Sequence, residues 1–441
     1  MLRKIFDRID YRFLILLVAG SIIRIISCFF IRITTDAQDY IFAAEGIINN
    51  NYLSFRPPIF PLLIVPFLLI SGDGPIAVRC ASVTSGILLI IAVYYVFKKA
   101  SLKIFGDDDI GKEKANYVAL LVNFFVSLNF DIIQFSATGQ REDLIALFLI
   151  LLFYFLFIAN EKKSKRNYLF IALLCFALTL SHVTTGIFMF ITIILYYLIP
   201  KFKILEYQVS NRKVFIVTIS VLCSFLSWIL FCWINFNEPF YTMRIHQEWW
   251  QDWANLDLGS TEGIIKGLRR GLTIGIWEEF NALFLCMGII FTLTTFLYFG
   301  RYYKNNRLFF LYLMIFVNFL YLSIFIAEFP IVRLILYFVP ILFFLGSIPI
   351  INNLYEKKDV MLIVANLFKR DFSISLHIFF FFYLAFYVII QIFKLFYLIS
   401  AHQKFQFYFY FRDFILPFSI IYEFFLIILF IYPSYKMDNI V

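Results

Sequence analysis

Charge is scarce in this sequence, and its cysteines form no recognisable pattern. Only 15% of the 441 residues are charged, whereas about a quarter are charged in soluble domains. The six cysteines all lie inside apolar segments, and no two of them have Cys-x-x-Cys spacing, which argues against a disulfide framework and a zinc knuckle. No small-residue cleavage site follows the first apolar segment, so we expect a retained helix rather than a signal peptide.

Apolar and aromatic residues dominate the composition instead of charged residues. Hydrophobic residues make up 62% of the chain, which contains 60 Phe and 27 Tyr. One soluble core could not bury so many large apolar side chains, so much of this surface must face lipid. Helices are the expected spanning element because they satisfy their own backbone polar groups. The sequence therefore predicts an all-α, polytopic integral membrane protein.

The apolar runs predict about twelve transmembrane helices, since each helix needs about 20 apolar residues. One run, 167–200, is interrupted at 181–186, and we interpret it as two short helices with a tight outer turn. A single long helix is the alternative, but it would place the cations of 201–213 on the outer side. The predicted spans are residues 11–33, 75–97, 116–134, 142–159, 167–181, 184–200, 214–236, 277–299, 308–327, 331–350, 373–399 and 413–433.

Positive charge predicts the orientation of the chain. Most of the 38 Lys and Arg residues fall at the N-terminus and in alternate short connections, as is typical of cytoplasmic segments. We therefore predict a multi-pass plasma-membrane protein with a cytoplasmic N-terminus, in which residues 1–441 form one membrane domain with no soluble domain. The same connections account for the net charge of +9, so we expect no nucleic-acid partner.

The first outer region, residues 34–74, contains an apolar segment that is too short to span. Residues 59–70 form a run of twelve with two prolines inside it, a length that suits a re-entrant or interfacial helix. A crossing here would turn the lysine-rich segment 98–115 outward, against the positive-inside rule. A second large outer loop is predicted at 237–276.

Two acids and one arginine make the first outer region a candidate site. Asp36 and Asp39 lie where the first span leaves the membrane, a depth at which acids are costly unless they serve a function. The structural alternative is that either acid caps the helix that follows. Arg56 precedes Pro57-Pro58, and arginine matches phosphate oxygens bidentately. Its alternative role is that of an ordinary interfacial cation.

A short outer loop carries a second group of charged residues. Arg141, Glu142 and Asp143 are consecutive between the third and fourth predicted spans, on the same predicted side as Asp36. In a structural role, the two acids would favour the N-terminus of the next helix through its dipole. In a functional role, they would add carboxylates and a cation to the candidate site.

The order of these motifs resembles the membrane glycosyltransferases of the GT-C fold. The motifs are an Asp-x-x-x-Tyr-x-x-x-Ala segment at Asp36, a basic-Pro-Pro segment at Arg56, and an Arg–acid loop at Arg141. The similarity is to the group of dolichyl-phosphate-mannose protein mannosyltransferases, aminoarabinose transferases and RgtA/B/C/D-like enzymes. It covers about residues 1–200, and beyond them it rests on the helix count and on segment 333–340, which is similar to a late helix of the family.

The resemblance implies an activity and a set of roles. It implies a glycosyltransferase that moves a sugar from a polyprenyl-phosphate donor to a lipid, glycan or protein acceptor at the outer face of the membrane, with Asp36 as the base. Members often have a second acid directly after the first, whereas Ala37 follows here, so Asp39 is an alternative base. The acid of the family's second loop corresponds to Glu142 or Asp143.

The chemistry of such a transfer needs cations as well as a base. The leaving phosphate departs as an anion that needs charge stabilisation, and the acceptor hydroxyl needs a positioned base. The resemblance implies that Arg56 contacts the lipid phosphate, and the apolar segment 59–70 offers a groove for the isoprenoid tail. The further candidate phosphate ligands are Arg141, Arg269, Arg270 and Arg333.

The sequence is also compatible with a metal site and with two other functions. His182 and His246 lie in predicted outer segments near acids, so a divalent metal is a candidate cofactor, although a solvated or aromatic-stacked histidine is the favoured interpretation. A transporter or flippase for lipid-linked glycans would need polar residues along mid-membrane helices, of which Arg24 is one of few. A polymerase or ligase would place its site in a later outer loop such as 237–276.

Overall fold

The computed structural model describes residues 10–158, 165–199, 210–242, 289–299, 305–325 and 336–356, with the isolated positions 244, 245, 248, 265, 287, 387, 388 and 391. Within these residues all regular structure is helical, with no strand, which confirms the predicted fold class. The helices that we label are α1 (Tyr11–Phe30), α2 (Thr35–Ile48), α3 (Ile59–Ser71), α4 (Gly74–Phe105), α5 (Asp109–Leu128), α6 (Phe130–Ala137), α7 (Glu142–Phe153, continued by a π turn, Tyr154–Ile158), α8 (Lys165–Ser181), α9 (Val183–Leu198), α10 (Asn211–Phe236), α11 (Ile289–Leu297), α12 (Asn306–Phe325) and α13 (Val339–Glu356).

Apolar helices of spanning length confirm that this is a membrane protein. Among the described residues, α1, α4 and α10 are long and apolar enough to cross a membrane, and α5 and α6 pass the same test as a pair bent by 52°. The number of twelve spans stays a prediction. The predicted spans 373–399 and 413–433 lie, apart from isolated positions, outside the described residues.

Two interruptions occur where the sequence predicts them. α8 and α9 are separate helices, and His182 between them is the N-cap residue of α9, whose ring nitrogen Nδ1 accepts the backbone N–H of Thr185 at 3.2 Å. The short apolar segment forms α3, which turns back into α4 through Gly72 with a φ of +65°. α3 packs against α2 and α4, so the first outer region is attached to the bundle along its length.

Aromatic stacking holds the centre of the bundle together. α4 packs against α1, α3, α5 and α7. Phe97 of α4 stacks on Phe344 of α13 with ring centroids 4.3 Å apart, and Phe125 of α5 stacks on Phe343 at 4.6 Å. α1, by contrast, exposes a row of isoleucines and phenylalanines, which a lipid-facing helix can do without cost.

The cationic connections meet at one end of the bundle. The Asn116 side chain donates to Asp10 at 2.7 Å, and Lys114 donates to the Asn352 side chain at 3.0 Å. Arg307, just after the start of α12, donates to a carbonyl of the π turn after α7 at 3.3 Å. The described segments that we predict to be cytoplasmic therefore share one end, and the acids of the first outer region lie at the other.

Candidate active site

Arg56 joins the two acids of the first outer region through a single nitrogen. Its Nη2 donates to Asp36 Oδ1 at 2.5 Å and to Asp39 Oδ2 at 2.8 Å. The side chains of Arg56 and Asp36 are 11% and 17% exposed, whereas that of Asp39 is 42% exposed. Three residues that the sequence placed on one side of the membrane are thus in direct contact, and Asp36 is the more enclosed of the two acids.

The guanidinium of Arg56 is enclosed by aromatic rings. Its Cζ lies 4.7 Å from the ring centroid of Phe55 and 5.3 Å from that of Tyr40, which is cation–π geometry. Burial alone would lower the pKa of Arg56, but Tyr40 and the two acids outweigh it and raise that pKa above its usual value. The buried Nε has no hydrogen-bond partner in the described part of the chain, so the protein leaves part of the hydrogen-bonding capacity of this guanidinium unused.

Local sequence places both acids on one face of α2. Thr34 has the extended backbone of an N-cap residue, and its Oγ1 accepts the backbone N–H of Ala37 at 3.2 Å. The capping role that we considered for Asp36 or Asp39 is therefore wrong, because the helix begins one residue before Asp36. Asp36, Asp39 and Tyr40 fall at positions i, i+3 and i+4, which share one face of a helix.

The loop between α2 and α3 orients Arg56 from the other side. The backbone N–H of Arg56 donates to Ser54 Oγ at 3.0 Å, and the backbone carbonyl of Arg56 accepts from the Tyr52 hydroxyl. Burial raises the pKa of Tyr52, so that hydroxyl keeps its proton. Pro58 is then the N-cap residue of α3. The cation consequently stands directly before an apolar helix.

Arg141 is a second cation at the same aromatic ring. Its Cζ lies 5.5 Å from the centroid of Tyr40, and its Nη1 donates to the carbonyl of Ser181 at 2.6 Å. The residue is only 6% exposed, and its Nε has no hydrogen-bond partner among the described residues. Tyr40 therefore joins Arg56 and Arg141. We assign no role to Tyr40 from the sequence, although its spacing of four residues from Asp36 places both side chains on one helical face.

Hydrogen bonds tie the loop before Arg141 to the start of α2. Gln140 Nε2 donates to Thr34 Oγ1 at 2.9 Å, and the backbone N–H of Thr34 donates to the carbonyl of Thr138 at 3.4 Å. Gly139 between them has a φ of +79°, and a Cβ there would lie 2.8 Å from Val78. The two loops that the sequence predicts on one side of the membrane are thus in contact.

Glu142 and Asp143 begin α7 and are both buried. Asp143 Oδ2 accepts a hydrogen bond from the Ser136 hydroxyl, and its charge acts on the buried Arg24. The structure thus directs Asp143 toward α1 and α6, and the catalytic role suggested for either acid stays a prediction.

The remaining candidates divide into a capping residue and residues outside the described part. His182 caps α9 and makes an edge contact with Tyr337 at 5.6 Å between ring centroids. Within the described ranges, no group of three His, Cys, Asp or Glu residues could hold a metal ion, and the divalent metal stays a prediction. The candidates that lie outside the described residues are His246, Arg269, Arg270 and Arg333.

The start of the second outer loop reaches the same region. Thr242 Oγ1 donates to the carbonyl of Phe55 at 3.4 Å and accepts from the Trp228 indole at 3.1 Å. The ring of Tyr52 lies 5.4 Å from that of Phe231. Tyr52, whose hydroxyl bonds the backbone carbonyl of Arg56, therefore packs against an aromatic side chain of α10.

Comparisons with known proteins identify a similar protein family and a similar fold. Residues 55–231 match the model of a family described as dolichyl-phosphate-mannose-protein mannosyltransferase. The fold is similar to the crystal structure of ArnT from Cupriavidus metallidurans bound to undecaprenyl phosphate, with a TM-score of 0.54 and 13% sequence identity, over 93% of this chain and 74% of that one. No curated protein sequence matches the chain. The predicted resemblance to membrane glycosyltransferases of the GT-C fold is confirmed, as is the enzyme class that it implied.

Proposed function

We propose that this chain transfers a sugar from a polyprenyl-phosphate donor to an acceptor hydroxyl at the outer face of the plasma membrane. The observation that carries the proposal is the placement of Arg56. It contacts two carboxylates and stands directly before the apolar helix α3. A lipid phosphate needs such a junction, because its charged head and its apolar tail must be bound side by side. The family description and the lipid in the ArnT structure support this class of donor.

The arginines would bind the donor phosphate. Arg56 and Arg141 each retain an unbonded Nε in the described part of the chain, and both lie against Tyr40. Preorganised cations stabilise the charge that develops on a leaving phosphate. The apolar side chains of α3, of which Leu69 and Ile70 are exposed, would contact the first units of the isoprenoid tail.

Asp36 would act as the base. The acceptor oxygen forms a bond to the anomeric carbon of the sugar while the bond from that carbon to the phosphate oxygen breaks. The acceptor proton passes to Asp36, and the polyprenyl phosphate leaves as an anion. A single displacement of this kind inverts the configuration at the anomeric carbon. Asp39 is the alternative base, since it shares Arg56 with Asp36.

The contact between Arg56 and Asp36 must loosen before Asp36 can work. A carboxylate held by a guanidinium is a weak base, because the cation favours its charged form. A donor phosphate competes for the same cation, since both anions match the guanidinium fork. Donor binding would thus free Asp36 for the acceptor, so that the donor binds first and the acceptor second.

A transfer assay with purified protein tests this function. The protein is incubated with radiolabelled polyprenyl-phosphate sugars and with extracted membrane lipids and glycans as acceptors. We expect label to move from the donor to an acceptor, and the transfer to be lost in Asp36→Asn. Movement of intact donor across a vesicle membrane, without transfer, would instead favour a flippase.

The orientation is part of the proposal and has its own test. We place the N-terminus in the cytoplasm and the acids of α2 outside, because the cationic connections gather at the other end of the bundle. Cysteine is introduced at Asn50 or Asp107, both exposed, after the six native cysteines are replaced. A membrane-impermeant thiol reagent applied to intact cells should label Asn50→Cys and spare Asp107→Cys. The reverse pattern would invert the topology.

A further inference from the structure

α5 is interrupted at Asn129, and the interruption leaves carbonyls without helical donors. The backbone N–H of Phe130, which would continue the helix onto the carbonyl of Val126, donates instead to the Gln391 side chain at 2.8 Å. Arg24 of α1 supplies the missing donors. Its Nη2 bonds the carbonyl of Val126 at 3.1 Å, and its Nη1 bonds the next carbonyl at 3.2 Å. Such groups are costly when buried without a partner, so Arg24 stabilises the bend.

The charge of Arg24 is compensated through a serine. Arg24 is completely buried. Its Nε donates to Ser136 Oγ at 3.2 Å, and the Ser136 hydroxyl donates to Asp143 Oδ2. Asp143 acts electrostatically on Arg24, and a buried charge needs a compensating partner of this kind. Three residues from α1, α6 and α7 thus form one polar network inside the bundle.

Gly86 of α4 provides the space for this network. A Cβ at this position would lie 2.7 Å from Asp143 Oδ2, 2.8 Å from Arg24 Nε and 2.9 Å from Ser136 Oγ. All three distances are shorter than the closest approach of a Cβ atom to a nitrogen or oxygen atom that is not bonded to it. No other residue type fits beside these three polar side chains without displacing them, so α4 closes the network from the fourth side.

The network encloses both ends of the loop that leads into the candidate site. Ser136 precedes that loop, and Asp143 follows it in the first turn of α7. Between them, Gln140 bonds Thr34 at the start of α2, and Arg141 lies against Tyr40. A shift of the network would therefore move Arg141 directly.

We propose that Arg24, Ser136 and Asp143 are positioning residues, which fix Arg141 against Tyr40 for contact with the donor phosphate. Asp143 is then the counter-ion of Arg24 rather than an acid or base of the reaction. The proposal rests on the proposed function for the role of Arg141 alone. The pairing of Arg24 with Asp143 does not depend on that function, because it is argued from contacts inside the bundle.

The pairing is tested by a double-mutant cycle in stability. Arg24→Met and Asp143→Asn should each lower the Tm of the purified protein strongly, because each leaves one buried charge without its partner. The double variant should lose less stability than the sum of the two single variants, since it leaves no unpaired charge. It should still melt below the unaltered protein, because the carbonyls of Val126 and Ser127 have lost their donor. Losses that simply add in the double variant would overturn the pairing.

The positioning role is tested with Gly86→Ala, which keeps every polar group and crowds the network. The matched control is Gly346→Ala in α13, where the new Cβ would lie 2.9 Å from Phe291 and 3.0 Å from Thr295, outside the network. Loss of a hydrogen bond to a charged group weakens binding by roughly tenfold to a hundredfold. We expect Gly86→Ala to weaken binding of undecaprenyl phosphate by on the order of tenfold, with a larger change in donor KM than in kcat. Gly346→Ala should alter Tm but not binding.

The outcomes separate this inference from the proposed function. Equal undecaprenyl-phosphate binding in the two glycine variants at temperatures well below both Tm values would overturn the positioning role. If the unaltered protein does not bind undecaprenyl phosphate at all, the proposed donor is wrong, and the positioning role for that donor is wrong with it. The stability cycle would then still decide whether Arg24 and Asp143 form a pair.

Discussion

The candidate site and the buried network both combine an arginine with aspartate, but the protein uses the hydrogen-bonding groups of the two arginines to different extents. In the site, Arg56 bonds Asp36 and Asp39 through one nitrogen and leaves its Nε unbonded within the described residues. In the network, Arg24 uses all three of its nitrogens on carbonyls and on the serine that leads to Asp143. The arginine of the site has bonding capacity left for a ligand, whereas the arginine of the network has its nitrogens occupied by the protein.

The comparison shows that residue type and sidedness do not identify a catalytic acid. Asp36 and Asp143 both lie near the predicted outer surface, in the first turn of a helix and close to an arginine in space. Asp143 is 3% exposed, and its partners belong to the interior. Asp36 keeps 17% of its side chain exposed and faces a cation that can change partners. Access and unused hydrogen-bonding capacity distinguish the acid that can react from the acid that holds the fold.

The largest expected effect is the loss of turnover in Asp36→Asn. The amide keeps the shape of the side chain but cannot take the acceptor proton, and loss of a base costs about a hundred- to ten-thousand-fold in rate. Tm should fall less than in Asp143→Asn, because Thr34 rather than Asp36 caps α2 and Arg56 keeps Asp39 as a partner. Turnover and Tm of Asp36→Asn and Asp143→Asn should therefore show opposite patterns. The network variant should lose stability, and its folded fraction should keep kcat at saturating donor while its donor KM rises, because Arg141 loses its support.

The control for this comparison is Asp39→Asn. Asp39 shares Arg56 with Asp36 but is more exposed, so we expect a smaller loss of turnover. An active Asp36→Asn with an inactive, stable Asp39→Asn would assign the base to Asp39. Normal turnover in both variants would contradict a base on α2, and would make the flippase the leading interpretation.

A smaller effect is expected at the phosphate contact. Arg56→Ala should weaken donor binding by on the order of tenfold to a hundredfold, the range for loss of a hydrogen bond to a charged group. Arg56→Lys should retain part of the affinity, because lysine supplies the charge without the planar fork. Equilibrium binding of undecaprenyl phosphate to the purified variants measures this directly. Unchanged affinity in Arg56→Ala would remove Arg56 from the donor site.

The smallest expected effect is at the cap of α2. Thr34→Val keeps the shape of the side chain but loses the hydroxyl that bonds Ala37 and Gln140, which should cost about 1 kcal/mol of stability. Ser210→Ala is the matched control, since Ser210 caps α10 through Lys213. Both variants should lower Tm, but only Thr34→Val should also raise the donor KM. An equal donor KM in the two variants would show that the tie between the two loops does not influence the site.

Much of the fold could be read from local pattern. The run 59–70 is too short and too rich in proline to span, and it forms α3. The break at 181–186 falls where polar residues interrupt an apolar run, and His182 caps the helix that follows. Helix capping and apolar run length are properties of a few adjacent residues, so they are visible in the sequence.

The partners of the charged residues could not be read in the same way. Arg24 and Ser136 are 112 positions apart in the sequence, and no local sequence pattern predicts their contact. The capping role considered for Asp36 was wrong because Thr34, two residues earlier, has the backbone conformation of a cap. Gly86 carries no local signal at all, since its requirement comes from side chains on three other helices.

The sequence by itself determined that this is a helical membrane protein, and it predicted that two acids and an arginine share a first outer region, because lipid solvation and charge sorting act on composition and run length. Only the tertiary structure decided which arginine each acid meets. Packing brought Asp36 to Arg56 and turned Asp143 toward Arg24. The physical reason is that an ion pair depends on position in three dimensions, and in the interior a charge stays only where a partner from another helix compensates it.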